Sequence, residues 1–315
     1  MKYNMKSPRV ALGEAMVALG GKYQDVLVLD PDVRPTSSID EFCKRFPDKF
    51  IQSGIAEQNL IGVAAGLSTI GFVPFFIGFG MFASQRVADQ LYTSVGYTNA
   101  NVKIVGTYSG FCAVKNGVTH QPIADLGFLR AIPGFTIIEP GDATEVVMAV
   151  NAAYEHKGPV YLRLGRDPLP VVFDEKHIFE IGKGYQLVDG KDLTLVSTGV
   201  MLSYTLSARE KLLKEGIESR VLHIPTIKPI DREILVKAAA ETGALVTVEN
   251  HNILGGFGSA VAEVICEEYP VPLVRCGISD EYGESGQFDE LIEKYGFGVS
   301  GIIEKSKEVL KKKKK

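Results

Sequence analysis

The chain has 315 residues, 45% of them hydrophobic and 23% charged, with a formal net charge of −4. That balance fits a globular protein of about two domains and excludes wholesale disorder. It gives no support to nucleic-acid binding, because the one basic cluster, Lys311 to Lys315, reads as a solvated, frayed end on an otherwise acidic body.

In chain order the pattern alternates helical and β-rich runs, the signature of parallel α/β units. "RVALGEAMVALGGKY" (9–23) predicts a helix, with apolar residues at 10, 12, 16, 17 and 19, and "DVLVLD" (25–30) a buried strand. "SIDEFCKRFPDKF" is helical up to Pro47, and the run 53–71 reads as a helix buried nearly all round. Next come a strand at 72–76, a helix "SQRVADQLYTSVGY" (84–97) and a strand at 102–108. The helix "ADLGFLRAI" (124–132), the strand 135–140, the helix 143–156 and the strand 159–165 complete the first unit. Residues 166–192 look like a connector, and the expected domains are 1–178 and 179–315. In the second unit the strands are 193–199, 219–224, 244–250 and 272–278, with helices at 201–216 and 258–269.

Cysteine and histidine usage narrows the chemistry. Cys43, Cys112, Cys266 and Cys276 form no CxxC pair, so idle thiols in a reducing compartment are expected. The histidines show no HxxxH or HExxH spacing, which leaves a metal site in this chain without support. No apolar run reaches the roughly 18 residues of a membrane span, and the N-terminus lacks a signal-peptide core. The expectation is a cytoplasmic protein that engages neither membrane nor nucleic acid. "NILGGFGSAV" (252–261) has the wrong spacing for a dinucleotide fingerprint and reads as a close-approach loop with a weak anion-site alternative. His251 before it is open to either a packing or a functional role.

Three segments fall where open parallel sheets place their ligands, at the carboxyl ends of strands. "GIAEQN" carries Glu57 at the head of the helix at 53–71. Helix chemistry alone explains an acid there, through the free N–H groups and dipole of the first turn. "FFIGFGMF" (75–82) places Phe79 and Phe82 after a strand, in a turn loosened by Gly78 and Gly80; core packing is the alternative. "YSGFCAVKNGVTHQPIADL" (108–126) is a long loop ending with His120 at a helix start, and long loops tend to be functional.

Taken together, "LVLDPDV", "GIAEQNLIGVAAGL", "GFVPFFIGFGMF", "RVADQ", "NGVTHQPIADLGFLRAIPGFTIIEPGDATE" and "PVYLRLGRDP" resemble the pyrimidine-binding domain of transketolase. The region after 180 is similar to that family's C-terminal domain. The resemblance implies thiamine diphosphate as cofactor and transfer of a two-carbon ketol unit between sugar phosphates. It implies that Glu57 meets N1′ of the aminopyrimidine. A carboxyl group sharing a proton there drives the tautomerisation by which the cofactor activates its own thiazolium carbon. Phe79 and Phe82 fit as the walls of the pyrimidine site. His120 matches the histidine that contacts substrate oxygens, and Arg9, Thr36 and Arg166 fall on positions resembling the sugar-phosphate clamp.

The resemblance also has gaps. No GDG motif is present to hold Mg²⁺ and diphosphate, so it implies the C-terminal subunit of a split enzyme. An N-terminal subunit would supply the metal ligands, in a heterotetramer of two N- and two C-subunits. Tyr108 stands where the family has a histidine, and Lys115 and Asn116 where it has two acids. That favours a more anionic or specialised sugar over the usual pentose phosphates. A deoxyxylulose-phosphate-synthase-like carboligase and a non-catalytic assembly subunit are the alternative readings.

Overall fold

The computed structural model describes residues 4–313. Its first half is built on a seven-stranded sheet. The order is Thr226–Lys228, Thr136–Ile138, Val160–Leu164, Lys103–Thr107, Val73–Phe79, Val26–Asp30 and Phe50–Gln52. All neighbours pair in parallel except the edge strand Thr226–Lys228. The strands VLVLD, KIVGT and VYLRL are buried along their whole length. Helices cover both faces, so these strands read as continuous apolar runs and not as alternation.

The second half carries a five-stranded sheet in the order Leu273–Ile278, Leu245–Asn252, Leu193–Ser197, Ser219–His223, Tyr185–Val188. Only Tyr185–Val188 runs antiparallel. The fold class is therefore the expected one: two mainly parallel sheets flanked by helices. The edge strand Thr226–Lys228 was not legible in the sequence. It is three residues long, belongs to the second half and completes the sheet of the first. The connector likewise holds a two-residue strand, Leu169–Pro170, paired with Met5–Lys6.

Several local expectations need correction. The helix Glu57–Thr69 is not buried all round: Leu60, Ile61 and Ala64 are sealed in the core, while Gln58, Asn59, Gly62, Val63 and Gly66 face outward. Nothing lies within 4 Å of where a Cβ would stand on Gly62 or Gly66. Small residues suit close packing against any surface, so the sequence could not say whether that surface was this chain's own.

The strand expected at 72–76 runs Val73–Phe79, so Phe79 is its last residue and Gly78 lies within it, paired with Gly106. The helix expected at 84–97 is a chain of short helical turns, the last of them, Leu91–Gly96, wound wide in the π manner. The terminal lysines are not all frayed. The helix Val299–Lys313 carries Lys313, whose Nζ donates to the carbonyls of Asp192 (2.8 Å) and Thr242 (2.6 Å). Lys314 and Lys315 lie outside the described residues. Among the described residues no helix is long and apolar enough to cross a membrane.

Candidate active site

The carboxyl ends of the first sheet's central strands gather most of the residues singled out above. Glu57 opens its helix with only 3% of its surface exposed. A cavity of about 410 Å³ opens beside it, lined by Ile55, Ala56, Gln58, Asn59 and Arg86. Phe79 ends its strand, and its ring meets Phe82 edge-on at 6.1 Å. Between them Gly80 donates its N–H to the carbonyl of Thr107 at 2.6 Å. A Cβ on Gly80 would stand 2.9 Å from the Pro122 ring, so the turn needs glycine to let the 118–122 loop close over it.

That loop brings His120 to the cluster. Its ring meets Phe79 at 5.5 Å and Phe82 at 5.0 Å, both edge to face. His120 does not start a helix: it ends a single turn, Val118–His120, and the next helix is Asp125–Arg130. Pro122 accounts for the break, because the residue before a proline is driven out of helical geometry. Burial, and then the charge of Arg86, hold the His120 imidazole below its ordinary pKa. The ring is therefore neutral at neutral pH and able both to donate and to accept.

Arg86 is the residue that sequence reasoning missed. Its Nη1 donates to both Glu57 oxygens, at 3.1 and 3.2 Å. Its guanidinium carbon lies 3.7 Å from the centre of the Phe82 ring. The signal was present in "RVADQ", where a lone basic residue follows the aromatic turn, but nothing in that stretch says which way it points.

A second group surrounds Tyr108, which is 5% exposed and held at φ +63°, a strained value for a tyrosine. Its ring packs edge-on against Phe79 at 4.9 Å and has the guanidinium carbons of Arg9 and Arg166 at 5.2 and 5.3 Å from its centre. Arg9 spends its Nε and Nη1 donors within the chain, on Arg166 O (3.0 Å), Thr36 O (2.6 Å) and Tyr108 Oη (3.1 Å). The Thr36 hydroxyl donates to Val33 O at 2.7 Å. Arg166 Nε has no hydrogen-bond partner among the described residues and faces Asp167 at 3.8 Å. Lys115 and Asn116 are exposed, on the stretch that packs against the helix Phe288–Lys294 and against the turn Val118–His120.

A larger cavity of about 570 Å³ lies between the halves and shares only Arg166 with this set. Its walls carry Asp167, Glu210, Asp289 and Glu293 against that single arginine, which disfavours a phosphorylated ligand.

Beneath the His120 loop lies a sealed network. Arg163, wholly buried, donates to Asp125 Oδ2 (2.8 Å), Glu139 Oε1 (2.5 Å) and the carbonyls of Pro122 (3.1 Å) and Asn250 (2.9 Å). Tyr161 Oη also donates to Asp125, at 2.9 Å. His251 is a packing residue at the end of a strand. Its Nε2 accepts the N–H of Leu126 (3.2 Å), leaving Nδ1 to donate to Asn252 O (2.6 Å). Burial pushes its pKa down to about 4. The helix N-terminus suggested as an anion site is already served by Glu249, which accepts the N–H of Gly258 at 2.9 Å. Burial raises that carboxyl to about 8.

The donor set fits one half of thiamine diphosphate: a sheltered carboxylate at an open cavity, joined through Arg86 to the face of Phe82, suits an aminopyrimidine. Among the described residues no group of three or more His, Cys, Asp or Glu side chains is placed to hold a metal ion.

Comparison with known proteins agrees with this geometry. Residues 5–171 match the family model for the transketolase pyrimidine binding domain, and residues 182–302 that for the transketolase C-terminal domain. The chain is 41% identical over 310 residues to a putative transketolase C-terminal section of Methanocaldococcus jannaschii, covering 98% of this chain and 97% of that one. It is 42% identical over 288 residues to a 6-deoxy-6-sulfo-D-fructose transketolase subunit of a Clostridium species, covering 91% and 89%. A solved structure described as a split gene transketolase, inactive beta4 tetramer, superposes with a TM-score of 0.91 at 42% identity, covering 98% of this chain and all of that one.

Proposed function

The chain belongs to the transketolase family, as a C-terminal subunit of the split kind, and we propose that it forms half of a thiamine diphosphate-dependent active site. With an N-terminal subunit it transfers a two-carbon ketol unit from a ketose phosphate to an aldose phosphate. The observation that carries this reading is Glu57, a nearly buried carboxylate at the wall of an open cavity and beside an aromatic cluster. Its one partner among the described residues is the half-exposed Arg86, so the acid stays open on its cavity side to a ligand that shares its charge or proton.

When bound, thiamine diphosphate supplies the nucleophilic carbon that takes up the two-carbon unit. Glu57 holds and shares a proton at N1′ of its aminopyrimidine. Phe79 and Phe82 wall the ring and keep water from that proton. His120, neutral and edged by both phenylalanines, donates to or accepts from the carbonyl and hydroxyl oxygens of the substrate. Tyr108, Arg9 and Thr36 form the bonded lip of the site, and Arg166 beside Tyr108 is assigned to the sugar phosphate through its terminal nitrogens, its buried Nε facing Asp167 away from that role. Mg²⁺ and the diphosphate are held by the partner subunit.

The outward face of the helix Glu57–Thr69 supports the need for a partner, because Gly62 and Gly66 leave open space one to two turns beyond the acid. The description of the similar solved structure as an inactive beta4 tetramer agrees with a chain that does not work alone. We place the domain boundary between residues 178 and 179, the assembly as two N- and two C-subunits, and the enzyme in the cytoplasm.

The substrate is a specialised sugar. Tyr108, Lys115 and Asn116 stand where the family reads its usual substrates, and one relative is named for a sulfonated ketose. Lys115 adds an exposed positive charge, which attracts anions over about one Debye length. Changing Lys115→Glu with Asn116→Asp should shift kcat/KM toward ordinary pentose phosphates. An unchanged ranking over a panel of ketose donors and aldose acceptors would remove these two residues from substrate reading.

The function itself is tested by reconstitution. Purified alone, the chain should neither turn over ketose phosphates nor bind thiamine diphosphate tightly, and its N-subunit should restore both. Tight Mg²⁺-dependent binding by the isolated chain in a calorimeter contradicts the split-site assignment.

A further inference from the structure

Arg86 touches the two groups that the reading above reserves for the aminopyrimidine. One nitrogen of its guanidinium reaches both Glu57 oxygens, and the planar cation lies against the face of Phe82. A heteroaromatic ring with a proton-bearing nitrogen makes the same pair of contacts, stacking on an aromatic face and donating to a carboxylate. Both cannot hold the same lone pairs and the same ring face at once.

We propose that Arg86 is a built-in competitor for the pyrimidine: it holds the Glu57 carboxylate and the Phe82 face until the cofactor displaces it. The inference rests on the assignment of Glu57 and Phe82 as the pyrimidine site. The geometry allows the exchange. The Arg86 side chain is 42% exposed whereas that of Glu57 is 4% exposed, so the arginine can turn into water without opening the core. The acid cannot follow it, being fixed at the start of a packed helix. Arg86 thereby compensates a sheltered carboxylate that would be costly unpaired. It does so at the expense of cofactor affinity. It also stands close enough to His120 for its charge to oppose protonation of that ring, so its departure reaches the substrate side of the site as well.

The test is calorimetric titration of thiamine diphosphate, with Mg²⁺, into the complex of this chain with its N-subunit. Wild type, Arg86→Met and Arg86→Lys are compared. Loss of a half-exposed ion pair and its ring contact should tighten binding by roughly threefold to twentyfold in the methionine variant. Lysine, which keeps the charge without the planar fork, should fall between. The gap between wild type and Arg86→Met should narrow as NaCl is raised, because salt weakens the exposed half of the pair. Inorganic pyrophosphate, which has no pyrimidine, should bind wild type and variant alike. Weaker or unchanged thiamine diphosphate binding in Arg86→Met, or an equal gain for pyrophosphate, overturns the proposal while wild-type binding leaves the cofactor reading standing. Failure of the wild-type complex to bind at all overturns both, and is told apart by that.

Discussion

Two clusters of charge lie one loop apart in this molecule, and they are built in opposite ways. Around Arg163 the guanidinium and the carboxylates of Asp125 and Glu139 are 0%, 0% and 2% exposed, and the arginine also ties down two backbone carbonyls. Around Glu57 the acid is as deeply placed, but its arginine stands half in water and beside a cavity. The same pair of residue types therefore does different work. Sealed, it fixes the 118–122 loop against the second half of the chain. Left open on one side, it is exchangeable, and exchangeable pairs at cavity walls are where ligands enter.

The largest effect should come from breaking the sealed cluster. Arg163→Met leaves two buried carboxylates uncompensated and should cost about 3–5 kcal/mol, read by denaturant unfolding. Arg86→Met should cost less in the same assay, about 1–2 kcal/mol, because only one carboxylate loses its partner and it borders a cavity that water can fill. Equal losses would erase the distinction between the clusters.

A smaller effect concerns Glu249, whose carboxyl is raised by burial to about 8 from an ordinary value of 4.5. The folded state then binds a proton that the unfolded chain has released. The resulting stability is present in full below about pH 4.5 and is lost as pH rises toward 8, at up to ~1.4 kcal/mol per unit. Glu249→Gln should flatten the fall in stability over that window, and an unchanged slope would show that Glu249 is not the group responsible.

The smallest effect is on His120. Since the charge of Arg86 helps hold its pKa down, Arg86→Met should move its NMR titration toward higher pH, whereas Arg163→Met, if folded, should not.

The sequence carried the fold class and most strands, because fully buried parallel strands are continuous apolar runs with clear Gly and Pro punctuation. It singled out Glu57, at a helix start, and Phe79, at a strand end, because pattern and ligand position coincide there; Phe82 follows in the next turn and His120 on the long loop. It did not carry Arg86, whose meaning depends on which way one exposed side chain turns. Nor did it carry the strand Thr226–Lys228, too short to show a period, or the roles of Arg163 and His251. Those two are set by contacts between segments 87 and 125 residues apart. The outward face of the helix Glu57–Thr69 was misread because its glycines read as packing residues, although no described residue lies against Gly62 or Gly66.

The central claim is that Glu57 activates the cofactor, and hydrogen–deuterium exchange at the thiazolium carbon of thiamine diphosphate bound to the reconstituted complex tests it most directly. Glu57→Gln is nearly isosteric, so folding and assembly with the N-subunit should survive. The amide can hydrogen-bond to N1′ but cannot pass a proton to it and take it back, so exchange should slow by roughly three orders of magnitude or more. Exchange at the wild-type rate in the folded, cofactor-loaded variant would contradict the account.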